Sequence, residues 1–191
     1  MKTGLKIIKL FIEDKKPKTI REMAKRIQAD YRITHTATQR LIAQNALKTE
    51  TVGKSTVCQL NLSYYGMVIY EAEYERKERI LHNNNINLLY KEIMSKIGTG
   101  SFILLLFGSY ANSKQTKSSD LDLMFISNEK NVEDKIANIL SLLPLKTQVL
   151  VFTEDEFIRM KDAKKPNVVQ EALERNIILY GIEAYYRIKN A

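Results

Sequence analysis

Hydrophobic positions recur at helical spacing through the first quarter of the chain. In GLKIIKLFIE (residues 4–13), Leu5, Ile8, Leu10, Phe11 and Ile12 fall on one side of a predicted helix. Pro17 ends that pattern. TIREMAKRI then opens a second helix, with Thr19 as N-cap, Glu22 as its capping-box partner, and Ile20, Met23, Ala24 and Ile27 turned inward. A third helix is predicted at about residues 35–46, started by a Thr36–Gln39 capping box and burying Ala37, Leu41 and Ile42. His35, Thr38, Gln39 and Arg40 are left as its polar residues. KTETVGKSTVCQLNL then alternates around Gly53-Lys54, the pattern of a β-hairpin.

Residues 63–97 read as helix, with a polar interruption at HNNN (82–85). Met67, Tyr70, Tyr74 and Leu81 form one predicted stripe, packed on the preceding helices or serving as a dimer seam. In the second half, Ile86, Leu88, Leu89, Ile93 and Ile97 are the predicted core positions, and Gly98 and Gly100 the stop. Beyond residue 100, strands and helices alternate. FILLLF (102–107), a strand at 120–126 and KTQVLVF (146–152) are separated by a loop and a helix near 131–142. A helix capped by Thr153–Glu156, then VVQEALERN, IILYG and IEAYYRI, complete the order as helix, helix, strand and helix. That order predicts an α/β (α+β) chain whose C-terminal part is built on a mixed sheet.

Charge divides the chain. Residues 1–62 hold 13 Lys and Arg against 5 Asp and Glu, whereas residues 63–191 hold 17 of each. A basic module joined to a neutral one points to a polyanionic partner for the first, or to a surface kept basic for solubility. The expected division is 1–62, a helical connector at 63–97, and 98–191, whose first helix begins near residue 85. One cysteine, Cys58, excludes an intrachain disulfide framework, and with two histidines it cannot build a zinc finger. No apolar run approaches the roughly 18 residues of a membrane span, and the N-terminus reads as structure rather than signal. Cytoplasmic location without a membrane partner is the expectation.

The candidate chemistry lies in FILLLFGSYANSKQTKSSDLDLMFI. Asp120 and Asp122 are two residues apart at a strand, so both leave one face. Paired carboxylates repel unless a cation sits between them, and Mg²⁺ takes oxygen ligands together with substrate phosphates. Gly108 lets backbone approach a phosphate, and Ser109 offers a hydroxyl and an N–H.

Gly108-Ser109, ten residues, then Asp120-Leu121-Asp122 resembles the signature of the nucleotidyltransferase superfamily that includes DNA polymerase beta, in its minimal form. The resemblance covers about residues 85–191. It implies transfer of a nucleoside monophosphate from an NTP, usually ATP, to an acceptor hydroxyl, with Gly108 and Ser109 holding the triphosphate. Asp120 and Asp122 would hold Mg²⁺ as the catalytic carboxylates. Two departures stand out. Asn112 and Ser113 occupy positions where the family commonly has arginine and glycine, with Lys114 and Lys117 as loop substitutes. Gln148 stands where the family places a third carboxylate, while Glu154, Asp155 and Glu156 suit a helix start.

Residues 3–62 similarly resemble a winged helix-turn-helix domain. That resemblance implies double-stranded DNA as partner. The third helix would enter the major groove with His35, Thr38, Gln39 and Arg40, and Lys48 and Lys54 would meet phosphates near the wing. Two functions follow. One is a DNA-binding nucleotidyltransferase acting on a protein or small-molecule acceptor. The other is a winged-helix regulator whose degenerate domain only binds nucleotide or mediates homodimerisation. A toxin–antitoxin role with a partner protein is implied by the minimal family alone.

Overall fold

Helix α1 (Thr3–Glu13) buries Leu5, Ile7, Ile8 and Phe11 in a computed structural model that describes residues 2–53, 55–98, 100–116 and 119–191. Ile7 takes the inward place expected of Leu10 and Ile12, which are half-buried. The chain divides into two units, Met1–Glu75 and Arg76–Ala191.

In the first unit, β1 (Lys18–Thr19) leads into α2 (Ile20–Arg26). The predicted capping box is present: Thr19 accepts from the Glu22 N–H at 3.2 Å, and the Glu22 carboxylate accepts from the Thr19 N–H at 2.7 Å. Buried Lys18 ties down the turn after α1. Its ammonium donates to the carbonyls of Asp14 (2.8 Å) and Lys16 (2.7 Å), pairs with the Asp14 carboxylate, and lies 5.1 Å from the Phe11 ring centroid. Those partners offset the desolvation of a buried cation.

Helix α3 (Tyr31–Ala43) begins earlier than the sequence reading placed it. Asp30 is its N-cap, accepting from the N–H groups of Arg32 (2.8 Å) and Ile33 (3.2 Å). Thr36 therefore lies inside the helix, its hydroxyl donating to the Arg32 carbonyl at 3.0 Å, and the Thr36–Gln39 capping box does not form. The inward side also rotates. Thr34, Thr38 and Leu41 are buried, Ala37 and Ile42 only half-buried. Both buried hydroxyls are satisfied by carbonyls one turn back, Thr34 by Asp30 and Thr38 by Thr34, each at 2.8 Å.

Strands β2 (Leu47–Val52) and β3 (Ser55–Leu60) form the expected hairpin, with Gly53 at a φ of +60° in its turn. With β1 they make an antiparallel sheet of order β1-β3-β2. Cys58 is buried there as a small hydrophobe, and burial pushes its thiol pKa up.

Helix α4 (Met67–Leu81) spans the division between the units. Its expected stripe is corrected: Met67 and Tyr74 are 80% and 54% exposed, while Ile69, Ala72, Glu73 and Arg76 are buried. Tyrosine and methionine tolerate water better than isoleucine, so counting them as apolar shifted the predicted face.

The second unit opens with α5 (Asn84–Ile97), capped by Asn83 and ended by Gly98 at a φ of +78°. There follow β4 (Phe102–Phe107), α6 (Gly108–Ala111), β5 (Leu121–Ser127), α7 (Val132–Ser141), β6 (Thr147–Phe152), α8 (Glu154–Lys161), α9 (Val168–Glu174), β7 (Ile177–Tyr180) and α10 (Ile182–Lys189). The sheet order is β6-β5-β4-β7, with β5 and β6 parallel and the other pairs antiparallel. This is the mixed sheet of the expected α/β (α+β) class.

Strand periodicity of two sorts the side chains to two faces. Leu104, Leu106, Leu121, Leu123, Phe125, Ile177 and Leu179 pack with Ile86, Leu89 and Ile93 of α5 and with Val132, Ile136 and Ile139 of α7. Alternate residues, among them Ile103, Leu105, Met124 and Ile126, are buried on the opposite face. There α8 packs on β5 and β6, α10 on β4 and β7, and α9 against α8. Phe125 has no exposed surface and stacks on Phe102 with centroids 4.7 Å apart, which contributes about 2–3 kcal/mol from burial alone. Among the described residues no helix is long and apolar enough to cross a membrane.

Candidate active site

Strand β4 delivers Phe107 opposite Asp122 on β5, and the chain then turns sharply at Gly108. Gly108 has a φ of +64°, a left-handed conformation that glycine adopts without strain. Space also demands glycine. A Cβ at this position would lie 2.0 Å from Asp122 Oδ2 and 2.8 Å from its Cγ. The Asp122 carboxylate thus occupies the volume that any other side chain would fill. It accepts a hydrogen bond from the Ser109 backbone N–H, so the glycine-serine turn and the aspartate form one local unit.

Asn112 stands where the resemblance expects arginine, and here it serves the turn itself. Its side-chain amide donates to the Gly108 carbonyl at 2.8 Å, and the Lys114 N–H donates to the Ser109 carbonyl at 2.9 Å. Lys114 is exposed, and Lys117 lies outside the described residues.

Asp120 is exposed and immediately precedes β5, whereas Asp122 lies within the strand and is half-buried. Leu121, Leu123 and Phe125 face α5 and α7. By alternation Asp122 projects to the other face, the side covered by α8 to α10. Burial raises the Asp122 pKa above the ordinary carboxylate value; the Asp120 charge raises it further, the Ser109 N–H opposes, and Glu171 adds to the rise. Glu171 lies on α9 and was not among the residues singled out from sequence. Nothing in VVQEALERN distinguishes it from a solvated helix position, so only the tertiary arrangement reveals it.

Gln148 is the parallel-register partner of Asp122 on the neighbouring strand, so the two leave the same face of the sheet. The position expected of a third carboxylate therefore carries a neutral amide. Among the described residues no group of three or more His, Cys, Asp or Glu forms a metal-binding cluster. The donors present are nonetheless all carboxylate oxygens, which suit a hard cation such as Mg²⁺, and among the described residues no cation lowers the pKa of the half-buried Asp122. A binding mode that uses one or two carboxylates and keeps several waters fits this donor set. The Lys146 carbonyl accepts from the Leu121 N–H at 2.9 Å, and a cavity of about 500 Å³ lined by Asp120, Lys146 and Thr147 lies toward Ala137, Leu140 and Ser141 of α7, on the face opposite to Asp122.

The other candidate residues lie in the first unit. His35, Gln39 and Arg40 are exposed on α3, and Lys48 is exposed on β2 opposite Gln59. Thr38 is 0% exposed and has no surface to offer a groove, a correction that follows from the earlier start of α3. Lys54 lies outside the described residues.

No curated protein and no solved structure matches the chain. Residues 91–184, from within α5 to within α10, match the model of the family described as Polymerase beta, Nucleotidyltransferase. The Gly108–Asp122 unit falls inside that match, which supports a nucleotidyltransferase domain over residues 91–184.

Proposed function

We propose that the second unit transfers a nucleoside monophosphate from an Mg²⁺-bound NTP, ATP in the first instance, to a hydroxyl of a protein or small-molecule acceptor, with release of pyrophosphate. The observation that carries this reading is the Gly108–Ser109–Asp122 unit, in which an obligatory glycine, a backbone N–H and a carboxylate share one turn. Gly108 lets the turn approach the triphosphate, and the Ser109 hydroxyl is the donor left for a phosphate oxygen. Asp120 and Asp122 would hold Mg²⁺, which when bound neutralises charge on the phosphates and the leaving pyrophosphate. Asn112 keeps the turn in the shape this requires.

The first unit is read as a winged helix-turn-helix domain that binds double-stranded DNA. Its support is the element order, with α3 following α2 and a hairpin following α3, and the excess of 13 basic over 5 acidic residues in 1–62. The contacts assigned are His35, Gln39 and Arg40 from α3, with Lys48 and Lys54 at the hairpin.

Calorimetric titration with Mg²⁺ and a non-hydrolysable ATP analogue tests the nucleotide site. Binding that disappears in Asp120→Asn and Asp122→Asn is the expected result. Equal binding by both variants would remove the site from this turn. For the first unit, affinity for random-sequence duplex DNA should fall steeply between 50 and 200 mM salt, on the order of 10³-fold for six phosphate contacts. A flat salt response would overturn the DNA reading.

A further inference from the structure

We infer that the first unit carries a binding cavity for a small apolar carboxylate, with a hydrocarbon floor between α1, α3 and the start of α4 and with Lys2, Arg32 and Arg40 as its cations. The inference stands apart from the nucleotide site and does not require DNA binding.

Helical spacing builds the floor. On α3, Ile33, Ala37, Leu41 and Gln44 recur every three or four residues and so share one side of the helix. Leu41 is buried, Ala37 is half-buried and Ile33 is exposed. Helix α1 brings Gly4 and the buried Leu5 to the same place, and α4 brings Met67 and Val68. A Cβ on Gly4 would come no closer than 3.9 Å to its nearest neighbour, the Leu41 side chain, so the two helix surfaces do not close on each other at this end. The space between the three helices is about 1000 Å³. Pockets for small organic ligands run from roughly 300 to 1,000 Å³, so the cavity is large enough for one.

Charge selects the occupant. Lys2, Arg32 and Arg40 line the cavity against one carboxylate, Glu71. None of the three cations forms an ion pair among the described residues, so their charge is available to a ligand. Tyr64 adds a neutral donor to the wall. Its ring folds over Gly66, where a Cβ would lie 2.5 Å from the tyrosine oxygen, and its hydroxyl makes no hydrogen bond among the described residues. Helix α1 begins at the cavity with no acidic residue in its first turn. A neutral apolar ligand would leave these cations unused, and a polyanion would leave the hydrocarbon floor unused. A hydrocarbon body ending in one carboxylate uses both, and a guanidinium fork matches that carboxylate with two parallel bonds. His35 and Gln39 do not line the cavity, so it meets the α3 residues assigned to DNA only at Arg40.

Calorimetric titration of the whole protein with decanoate, and with decanol as its neutral match, tests the cavity. Decanoate should bind about 10-fold or more tightly than decanol, the effect of one charge-assisted hydrogen bond. Arg32→Gln combined with Arg40→Gln should erase that preference, weakening decanoate about 10-fold and leaving decanol unchanged. Arg21→Gln, the same charge change on α2, should alter neither. Ala37→Trp should block both probes, with its thermal melt recorded alongside; if that variant unfolds, the exposed arginine pair decides. Equal affinity for decanol and decanoate, binding of neither, or full decanoate affinity in the double arginine variant would overturn the inference. So would a dimer in sedimentation runs that Ile33→Glu and Met67→Glu disperse, because a second copy of the chain would then cover the groove.

Discussion

Replacing Gly108 with alanine tests whether the turn and Asp122 are one unit. The added Cβ would sit 2.0 Å from Asp122 Oδ2, and non-bonded atoms settle at roughly 3.5 Å, so the carboxylate must retreat by well over 1 Å. Holding alanine in the left-handed region costs about 1–2 kcal/mol. Loss of the bond from the Ser109 N–H adds about 1 kcal/mol, because the half-exposed carboxylate can turn to water instead. Gly108→Ala should therefore lower the unfolding free energy by about 2–3 kcal/mol in urea titrations followed by circular dichroism. The same titrations with Mg²⁺ and ATP at about 100 times Kd should stabilise the parent by about 2.7 kcal/mol and leave the variant unmoved. In an Asp122→Ala background the carboxylate clash is absent and only the tight 3.1 Å approach to the Cβ of residue 122 remains, so Gly108→Ala should cost little more than the backbone term of about 1–2 kcal/mol. Equal costs in both backgrounds, or an undiminished Mg-ATP response in Gly108→Ala, would mean that the turn and Asp122 act independently.

Further expectations concern the corrected helix start, the acid behaviour of Asp122 and a second obligatory glycine. Asp30→Ala should cost about 1 kcal/mol as loss of the α3 N-cap, whereas Thr36→Ala should stay within about 0.5 kcal/mol; the reverse order in urea titrations would restore the later helix start. Asp122 has its folded pKa raised, by burial first and Asp120 next. The metal-free fold therefore binds its proton more tightly than the unfolded chain does, and this contribution to stability is full at low pH and lost as pH rises through the raised value. Asp122→Asn should then be the more stable protein at pH 7 in EDTA, and a parent that gains stability over that pH interval through this residue would contradict the assignment. Gly181 has a φ of +78°, and a Cβ there would lie 2.5 Å from the Phe102 carbonyl oxygen. Because backbone cannot swing aside as a side chain can, Gly181→Ala should cost at least about 2 kcal/mol, measured by thermal melting; an unchanged melt would mean the turn relaxes freely.

Much of the second unit was legible because its strands are bounded sharply. FILLLF and LDLMFI are short apolar runs between polar turns, and β4 and β5 appear within a residue of their expected limits. The glycine-serine turn and the aspartates were legible as a motif, since their spacing is local. Helix α3 was misplaced because Thr36 and Gln39 imitate a capping box, while Asp30 binds the first N–H groups of a helix whose outward side includes Tyr31 and Ile33. The side of α4 was misread for a related reason: its inward face contains Glu73 and Arg76, which hydropathy counts as outward. Arg76 donates to the Asn176 carbonyl at 2.6 Å, a contact between residues one hundred apart that no local pattern reports. Glu171 was invisible on the same ground, its meaning depending on where α9 is carried by the chain between β6 and β7.

Nucleotide transfer at the Gly108–Asp122 turn would leave the α-phosphate on the acceptor and release the β- and γ-phosphates together. Parallel incubations with Mg²⁺, cell extract and ATP labelled at either the α- or the γ-phosphate test it directly. The expected result is protein-dependent acceptor labelling from α-labelled ATP only, with labelled pyrophosphate released from the γ-labelled form and both signals lost in Asp120→Asn and Asp122→Asn. Acceptor labelling from the γ-phosphate, or labelling that survives both substitutions, would contradict it.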